Sequence, residues 1–162
     1  MTKVSCSQQE FLQIYDRNVD TVYRICYSFM RNKSDAEDMT QEAFLRLLSL
    51  DVHFENLRHE KAWLIVTASN LCKDALKKWW RKTENIDDHT ELVGKDRSET
   101  TEVMQALMSL NKDYKTAVYM YYYEGYSTAE IALHLNCPET TVRSRLSRAR
   151  RQLKTLLGGD AE

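Results

Sequence analysis

Apolar residues recur at spacings of three and four through several stretches of this chain, the period of a helix with one buried face. Ser7-Gln-Gln-Glu10 is a capping-box pattern, a side-chain and backbone exchange that starts a helix. Phe11, Ile14, Tyr15, Val22, Ile25, Cys26 and Phe29 follow it and predict an amphipathic helix over about 8–31. The polar link 31–33 is short enough to favour an antiparallel helix pair. Ser34-Asp-Ala-Glu37 repeats the capping pattern and predicts a helix over about 35–49, with Ala36, Met39, Ala43 and Leu47 inward. Beyond a loop holding Phe54, a helix over about 60–82 turns Leu64, Ala68, Leu71, Cys72, Ala75 and Trp79 inward. Residues 83–100 lose the period. Glu84, Asp87, Asp88, Glu91, Asp96 and Glu99 are scattered there, which reads as an acidic, flexible linker. It would separate a domain over 1–82 from a second over 101–162.

The second domain begins with a short helix through Val103, Leu107 and Leu110. Asn111 caps the next helix, which carries Tyr114, Val118, Tyr121 and Tyr122 and closes at Glu124-Gly125. Tyr119, Tyr121, Tyr122 and Tyr123 are expected to pack this domain, with their hydroxyls at its rim. Ser127 and Glu130 form a third capping box, and Ile131, Ala132 and Leu135 give its helix an apolar face. Asn136-Cys-Pro138 ends it, because Asn tolerates a left-handed turn and Pro favours a new helix start. In the last helix Val142, Leu146, Ala149 and Leu153 form one buried stripe. Its other side carries Arg143, Ser144, Ser147, Arg148 and Arg151, with Thr141 at its start and Arg145, Arg150 and Lys154 at the flanks. This is a helix-turn-helix pattern whose second helix fits a DNA major groove.

Two further faces carry candidate chemistry. Asp38, Gln41, Glu42 and Leu45 fall at i, i+3, i+4 and i+7, flanked by Phe44 and Leu48. Exposed apolar groups with an acidic rim suit a basic protein partner; a helix buried on two sides would show the same residues. On the 60–82 helix, Trp63, Val66, Thr67, Asn70, Asp74, Lys77, Lys78 and Arg81 face outward, with Lys73 beside them. A stacking indole, amide and carboxylate hydrogen-bonders and a cationic end are what single-stranded DNA binding needs. Trp63 could equally be core, and Trp79-Trp80 are ambiguous in the same way.

Only four Gly and one Pro in 162 residues agree with an all-α protein of two small helical domains. The net charge of −1 looks wrong for a DNA binder until it is mapped. Residues 138–158 hold six basic residues against Glu139, a net +5, and 71–82 hold five against Asp74, a net +4. Two basic patches on a near-neutral chain imply local, oriented contact with nucleic acid. Cys6, Cys26, Cys72 and Cys137 lack metal or redox spacing and read as reduced thiols in a cytoplasmic protein. No secretory signal or membrane span is expected. The four His are scattered, and no phosphate loop or nucleophile motif is present, so neither an enzyme nor a cofactor or small-molecule substrate is expected.

The motifs together resemble the extracytoplasmic-function group of bacterial RNA polymerase sigma factors. Residues 35–48 resemble the family's polymerase-binding segment and 61–74 its promoter-melting segment. Residues 124–132 and 141–150 resemble its C-terminal domain. The resemblance implies a first domain that binds the β′ clamp of core polymerase, through Asp38, Gln41, Glu42, Phe44, Leu45 and Leu48. It implies −10 contacts from Trp63, Thr67, Asn70, Lys73, Asp74, Lys77, Lys78 and Arg81. It implies −35 contacts from Thr141, Arg143, Ser144, Arg145, Ser147, Arg148 and Arg151. The β subunit and an anti-sigma factor, which could hold the chain at a membrane, are further implied partners. A break near 70–76 is also implied, forming a loop that captures a flipped base. Asn111 stands where the family often has Pro, and Thr140 where Gly is common. The rival readings are a dimeric helix-turn-helix regulator binding duplex operator alone and a metal-dependent nuclease using the clustered acids.

Overall fold

In a computed structural model of the protein, residues 7–82 and 102–156 are described, and every regular element among them is helical. The chain falls into two compact units, Met1–Lys95 and Asp96–Glu162. The stretch read as a linker, 83–100, lies outside the described residues apart from what that division gives, and so does Cys6.

In the first unit, α1 (Gln8–Met30) starts from the anticipated capping box. The Ser7 hydroxyl accepts from the Glu10 N–H at 3.1 Å, and the Glu10 carboxylate accepts from the Ser7 N–H at 3.0 Å. The helix ends at Arg31, which sits in the left-handed region at φ 69°. Helix α2 (Lys33–Ser49) begins earlier than the Ser34 pattern suggests. Asn32 is its cap, accepting from the Asp35 N–H at 2.8 Å, and Ser34 lies inside the first turn. Helix α3 (Leu57–Lys82) also begins earlier, because the Asn56 side chain accepts from the His59 N–H at 2.8 Å. Glu60 is therefore inside the helix.

The three helices pack pairwise. Val22, Ile25 and Cys26 of α1, Ala36 and Ala43 of α2, and Leu64, Ile65, Ala68 and Cys72 of α3 are fully buried. Glu60 is a buried polar junction between α1 and α3. Its carboxylate accepts from Arg17 Nε at 3.1 Å, Arg17 Nη2 at 2.8 Å and Asn18 Nδ2 at 2.7 Å. The charge-assisted bond to Glu60 holds the Arg17 guanidinium above its ordinary pKa.

Two expectations need correction here. Phe44 is not a surface residue: it is 2 % exposed, and its ring lies 4.8 Å from Tyr15 and 6.2 Å, edge-on, from Phe11. It sits beside Ala43 and Leu47 on the buried side of α2, where α1 supplies aromatic partners. Helix α3 runs unbroken through residues 70–76, without the implied loop. Its last turns carry less cover than the first: Leu71, Ala75 and Trp79 are only half-buried.

The second unit contains α4 (Glu102–Ser109), α5 (Lys112–Val118), a π-helical turn over Tyr119–Tyr123, α6 (Thr128–Leu135) and α7 (Glu139–Leu156). Asn111 caps α5 by accepting from the Asp113 N–H at 2.8 Å, so its standing in place of a Pro still gives a helix start. Tyr119 and Met120 are buried, and Gly125 takes a left-handed φ of 79° that ends the segment. Tyr121, Tyr122 and Tyr123 are exposed, contrary to the packing role expected for them. They lie in the wider π turn, and Tyr123 keeps a ring contact with the buried Tyr119, centroids 4.8 Å apart. Ile131, Ala132, Val142, Leu146 and Ala149 are buried where α6 and α7 pack.

Candidate nucleic-acid and polymerase interfaces

The α2 face is built by helical period alone. Asp38, Gln41, Glu42 and Leu45 are all exposed on one stripe, and Leu48 continues it. Leu45 is 56 % exposed and Leu48 46 %. Apolar side chains left in water beside two carboxylates form a surface with a hydrophobic centre and a negative rim. Phe44 stands behind this stripe and supports it from the core rather than belonging to it.

On α3, Trp63, Thr67, Asn70, Asp74, Lys77 and Arg81 follow spacings of four, three, four, three and four. They form one stripe about 27 Å long at the rise of an α-helix. Asn70, Asp74, Lys77, Lys78 and Arg81 are exposed, whereas Trp63, Thr67 and Lys73 are half-buried. Trp63 leans on Phe54, centroids 5.8 Å apart, and its half-buried indole stays partly accessible. At the end of the helix, Trp79 and Trp80 meet edge-to-face at 5.0 Å, and Trp80 is 46 % exposed.

The helix-turn-helix is fixed at each joint. Ser127 and Glu130 complete the capping box of α6 at 3.1 and 2.9 Å. Asn136 sits in the left-handed region at φ 57°, and the Cys137 N–H donates to the Ala132 carbonyl at 3.1 Å. Pro138 precedes α7, and its carbonyl accepts the Thr141 and Val142 N–H groups. Thr140 lies within the first turn of α7, where no left-handed geometry requires Gly. Gln152 bridges back, donating to the Ser109 carbonyl at 3.3 Å and accepting from the Asn111 N–H at 3.4 Å. With its buried stripe held this way, α7 leaves Arg143, Arg148 and Arg151 exposed, and Thr141, Ser144, Arg145 and Ser147 half-buried.

Three side chains that the sequence does not assign to this face join it. Glu139 Oε2 accepts from Thr128 Oγ1 at 2.6 Å and from Arg143 Nη2 at 2.9 Å. The Tyr122 hydroxyl accepts from Arg150 Nη1 at 2.8 Å. The i, i+4 spacing of Glu139 and Arg143 was a readable signal. The other two pairs are set by how the helices pack.

Among the described residues, no helix is long and apolar enough to cross a membrane, and no group of His, Cys, Asp and Glu could hold a metal ion. Cys26 and Cys72 are buried cysteines, and Cys137 is half-buried.

Comparison with known proteins gives a consistent picture. The family model for sigma-70 region 2 matches residues 14–82, and that for sigma-70 region 4 matches residues 100–153. The ECF RNA polymerase sigma factor SigM of Bacillus subtilis is 31 % identical, covering 89 % of this chain and 93 % of its own length. SigW of the same organism is 29 % identical, over 93 % of this chain and 90 % of its own. Among solved structures, the sigma factor RpoE of Bartonella quintana, in complex with the anti-sigma factor NepR, superimposes with a TM-score of 0.68 at 25 % identity. That match covers 95 % of this chain and 98 % of the other. CnrH, in complex with the cytosolic domain of CnrY, gives a TM-score of 0.69 at 24 % identity, over 97 % and 93 % of the two chains.

Proposed function

The chain belongs to the extracytoplasmic-function group of RNA polymerase sigma factors, and from that premise we propose how its surfaces divide the work of initiation. As a sigma factor it directs core RNA polymerase to promoters. The reading as an operator-binding dimer is not favoured, because the region 2 match accounts for the first unit.

The α2 stripe docks on core polymerase, with Leu45 and Leu48 as the apolar contact and Asp38 and Glu42 as the negative rim. Gln41 supplies a hydrogen-bonding group between them. The α3 stripe takes the separated strand of the −10 element. Lys77, Lys78 and Arg81 neutralise phosphate while Asn70 and Asp74 offer hydrogen bonds to base edges. Trp63 supplies a stacking surface from the accessible part of its indole, and Thr67 and Lys73 line the stripe. Because α3 is unbroken here, any base capture requires the 70–76 turn to open on binding. The α7 face enters the major groove at the −35 element. Arg143, Ser144, Ser147 and Arg148 read bases, while Arg145 and Arg151 meet phosphates and Thr141 approaches at the helix start. The sequence domain 1–82 carries the first two roles and 101–162 the third. The protein acts by binding and catalyses no reaction itself.

The observation that carries this reading is the division of charge: a negative-rimmed apolar stripe on α2, and basic faces on α3 and α7 in separate units. Its solved relatives RpoE and CnrH are each bound to a further protein, named as an anti-sigma factor for RpoE. We extend that to an anti-sigma partner for this chain, which works in the cytoplasm and meets a membrane only through such a partner. Comigration with core RNA polymerase on a gel-filtration column tests the reading. Wild type should comigrate and the Asp38→Lys variant should elute alone. Equal comigration of both would remove α2 as the docking face.

A further inference from the structure

The carboxylate of Glu139 stands between the two helices of the helix-turn-helix. One of its oxygens, Oε2, accepts two hydrogen bonds, from Thr128 Oγ1 at 2.6 Å and from Arg143 Nη2 at 2.9 Å. Thr128 opens α6 directly after its cap, in a half-buried position fixed by the Ser127–Glu130 capping box. Glu139 is in the first turn of α7, and Arg143 is one turn further on. A glutamate in a first turn already benefits from the helix dipole without touching another side chain. That benefit explains neither the short bond from Thr128 on the other helix nor the convergence of both donors on one oxygen.

The arrangement matters for Arg143. Its side chain is 65 % exposed, and a free arginine in water samples many rotamers. Reading a guanine edge requires two N–H groups presented together, in register with O6 and N7. Glu139 engages one Nη2 hydrogen and leaves the other guanidinium donors available. Thr128 in turn fixes Glu139 to α6, so the direction of Arg143 is tied to the rigid pair of helices rather than to α7 alone.

We propose that Glu139, anchored by Thr128, is a positioning residue that aims the Arg143 guanidinium at a base edge and so sets base preference at that position. The proposal rests on α7 being the helix that reads duplex DNA. Because the carboxylate is negative and lies near where phosphates run, its contribution is to selectivity and not to total affinity.

The test uses full-length protein assembled with core RNA polymerase and a pool of promoter duplexes whose upstream segment is randomised, with bound DNA sequenced. Arg143→Ala identifies the position that Arg143 reads. Glu139→Ala and Thr128→Val should each weaken preference at that same position, by about tenfold for Glu139→Ala, while total binding to the pool is retained or rises. Glu139→Gln, which can still accept from Arg143, should restore part of the preference. In an Arg143→Ala background, Glu139→Ala should change nothing further. If Arg143→Ala shifts preference and Glu139→Ala, folded by circular dichroism, does not, the positioning role is wrong while the readout stands. If Glu139→Ala has the same effect without Arg143, Glu139 acts on DNA directly, which also overturns the proposal. If Arg143→Ala leaves every preference intact, the readout itself fails and the proposal falls with it.

Discussion

Replacing Glu60 by Ala should destabilise the first unit by about 2–4 kcal/mol, the range for breaking a buried, charge-assisted network. The reasoning is local. Glu60 is 5 % exposed and takes three hydrogen bonds, two from Arg17 and one from Asn18. The Arg17 side chain is 41 % exposed, so on losing Glu60 it rehydrates, and its share is discounted for screening. Asn18 is 2 % exposed; it keeps its bond to the Ile14 carbonyl at 3.0 Å but is left with an unsatisfied amide hydrogen. That stranded group costs about 1–3 kcal/mol, and the lost charged bonds supply the rest. For a unit of this size the midpoint should fall by roughly 10–25 °C. Scanning calorimetry, with the transition of the second unit as internal reference, measures it. Exchanging the trio together for apolar residues of similar volume (Arg17→Met, Asn18→Leu, Glu60→Leu) should cost far less, because no polar partner is stranded. The raised Arg17 pKa makes no pH window near neutrality. Stability from a raised cation is fully present below the unfolded-chain value and is lost only at strongly alkaline pH. A Glu60→Ala midpoint within about 3 °C of wild type, less than a 1 kcal/mol change would give, would refute the reasoning.

Leu45→Ala should weaken core polymerase binding by at least about 1 kcal/mol, with stability changed by no more than about 0.5 kcal/mol, read by competition binding and thermal melting. Asn70→Ala and Asp74→Ala should slow promoter opening while sparing core binding; wild-type permanganate footprints in both variants would count against the α3 stripe. Arg148→Ala should relax the choice of upstream sequence, whereas Lys154→Ala should weaken binding evenly and flatten its salt dependence, both visible on a panel of single-base promoter changes. Ser127→Ala should cost the second unit about 1 kcal/mol, the value of a helix cap, measured by urea denaturation.

The helices were legible because each carries its own local signals. Ser7 and Ser127 cap as the sequence indicates, Asn136 takes the left-handed turn, and the Val142–Leu146–Ala149 stripe is buried. Helix starts were less legible where rival caps stood close together. Asn32 and Asn56 took the role assigned to residues nearer Ser34 and Glu60, because their short side-chain amides reach the free Asp35 and His59 N–H groups. Phe44 was misjudged because one helix period cannot say which neighbour will cover a flanking aromatic; Phe11 and Tyr15 do so from α1. The exposed tyrosines escaped for another reason. A π turn adds a residue to one turn of helix, and no side-chain pattern in 119–123 announces it. The Thr128–Glu139 and Tyr122–Arg150 bonds join residues far enough apart in sequence that only the packed helices bring them together.

The most direct test is run-off transcription with core RNA polymerase on promoter fragments from the organism that encodes the chain. Core enzyme alone should give no discrete transcript, and adding the protein should give transcripts from defined start sites. The combined variant Leu45→Ala with Asp38→Lys should abolish them while keeping the wild-type melting temperature. Absence of protein-dependent transcripts from every fragment would contradict the account of initiation, and transcripts unchanged by that folded variant would contradict the assignment of polymerase docking to α2.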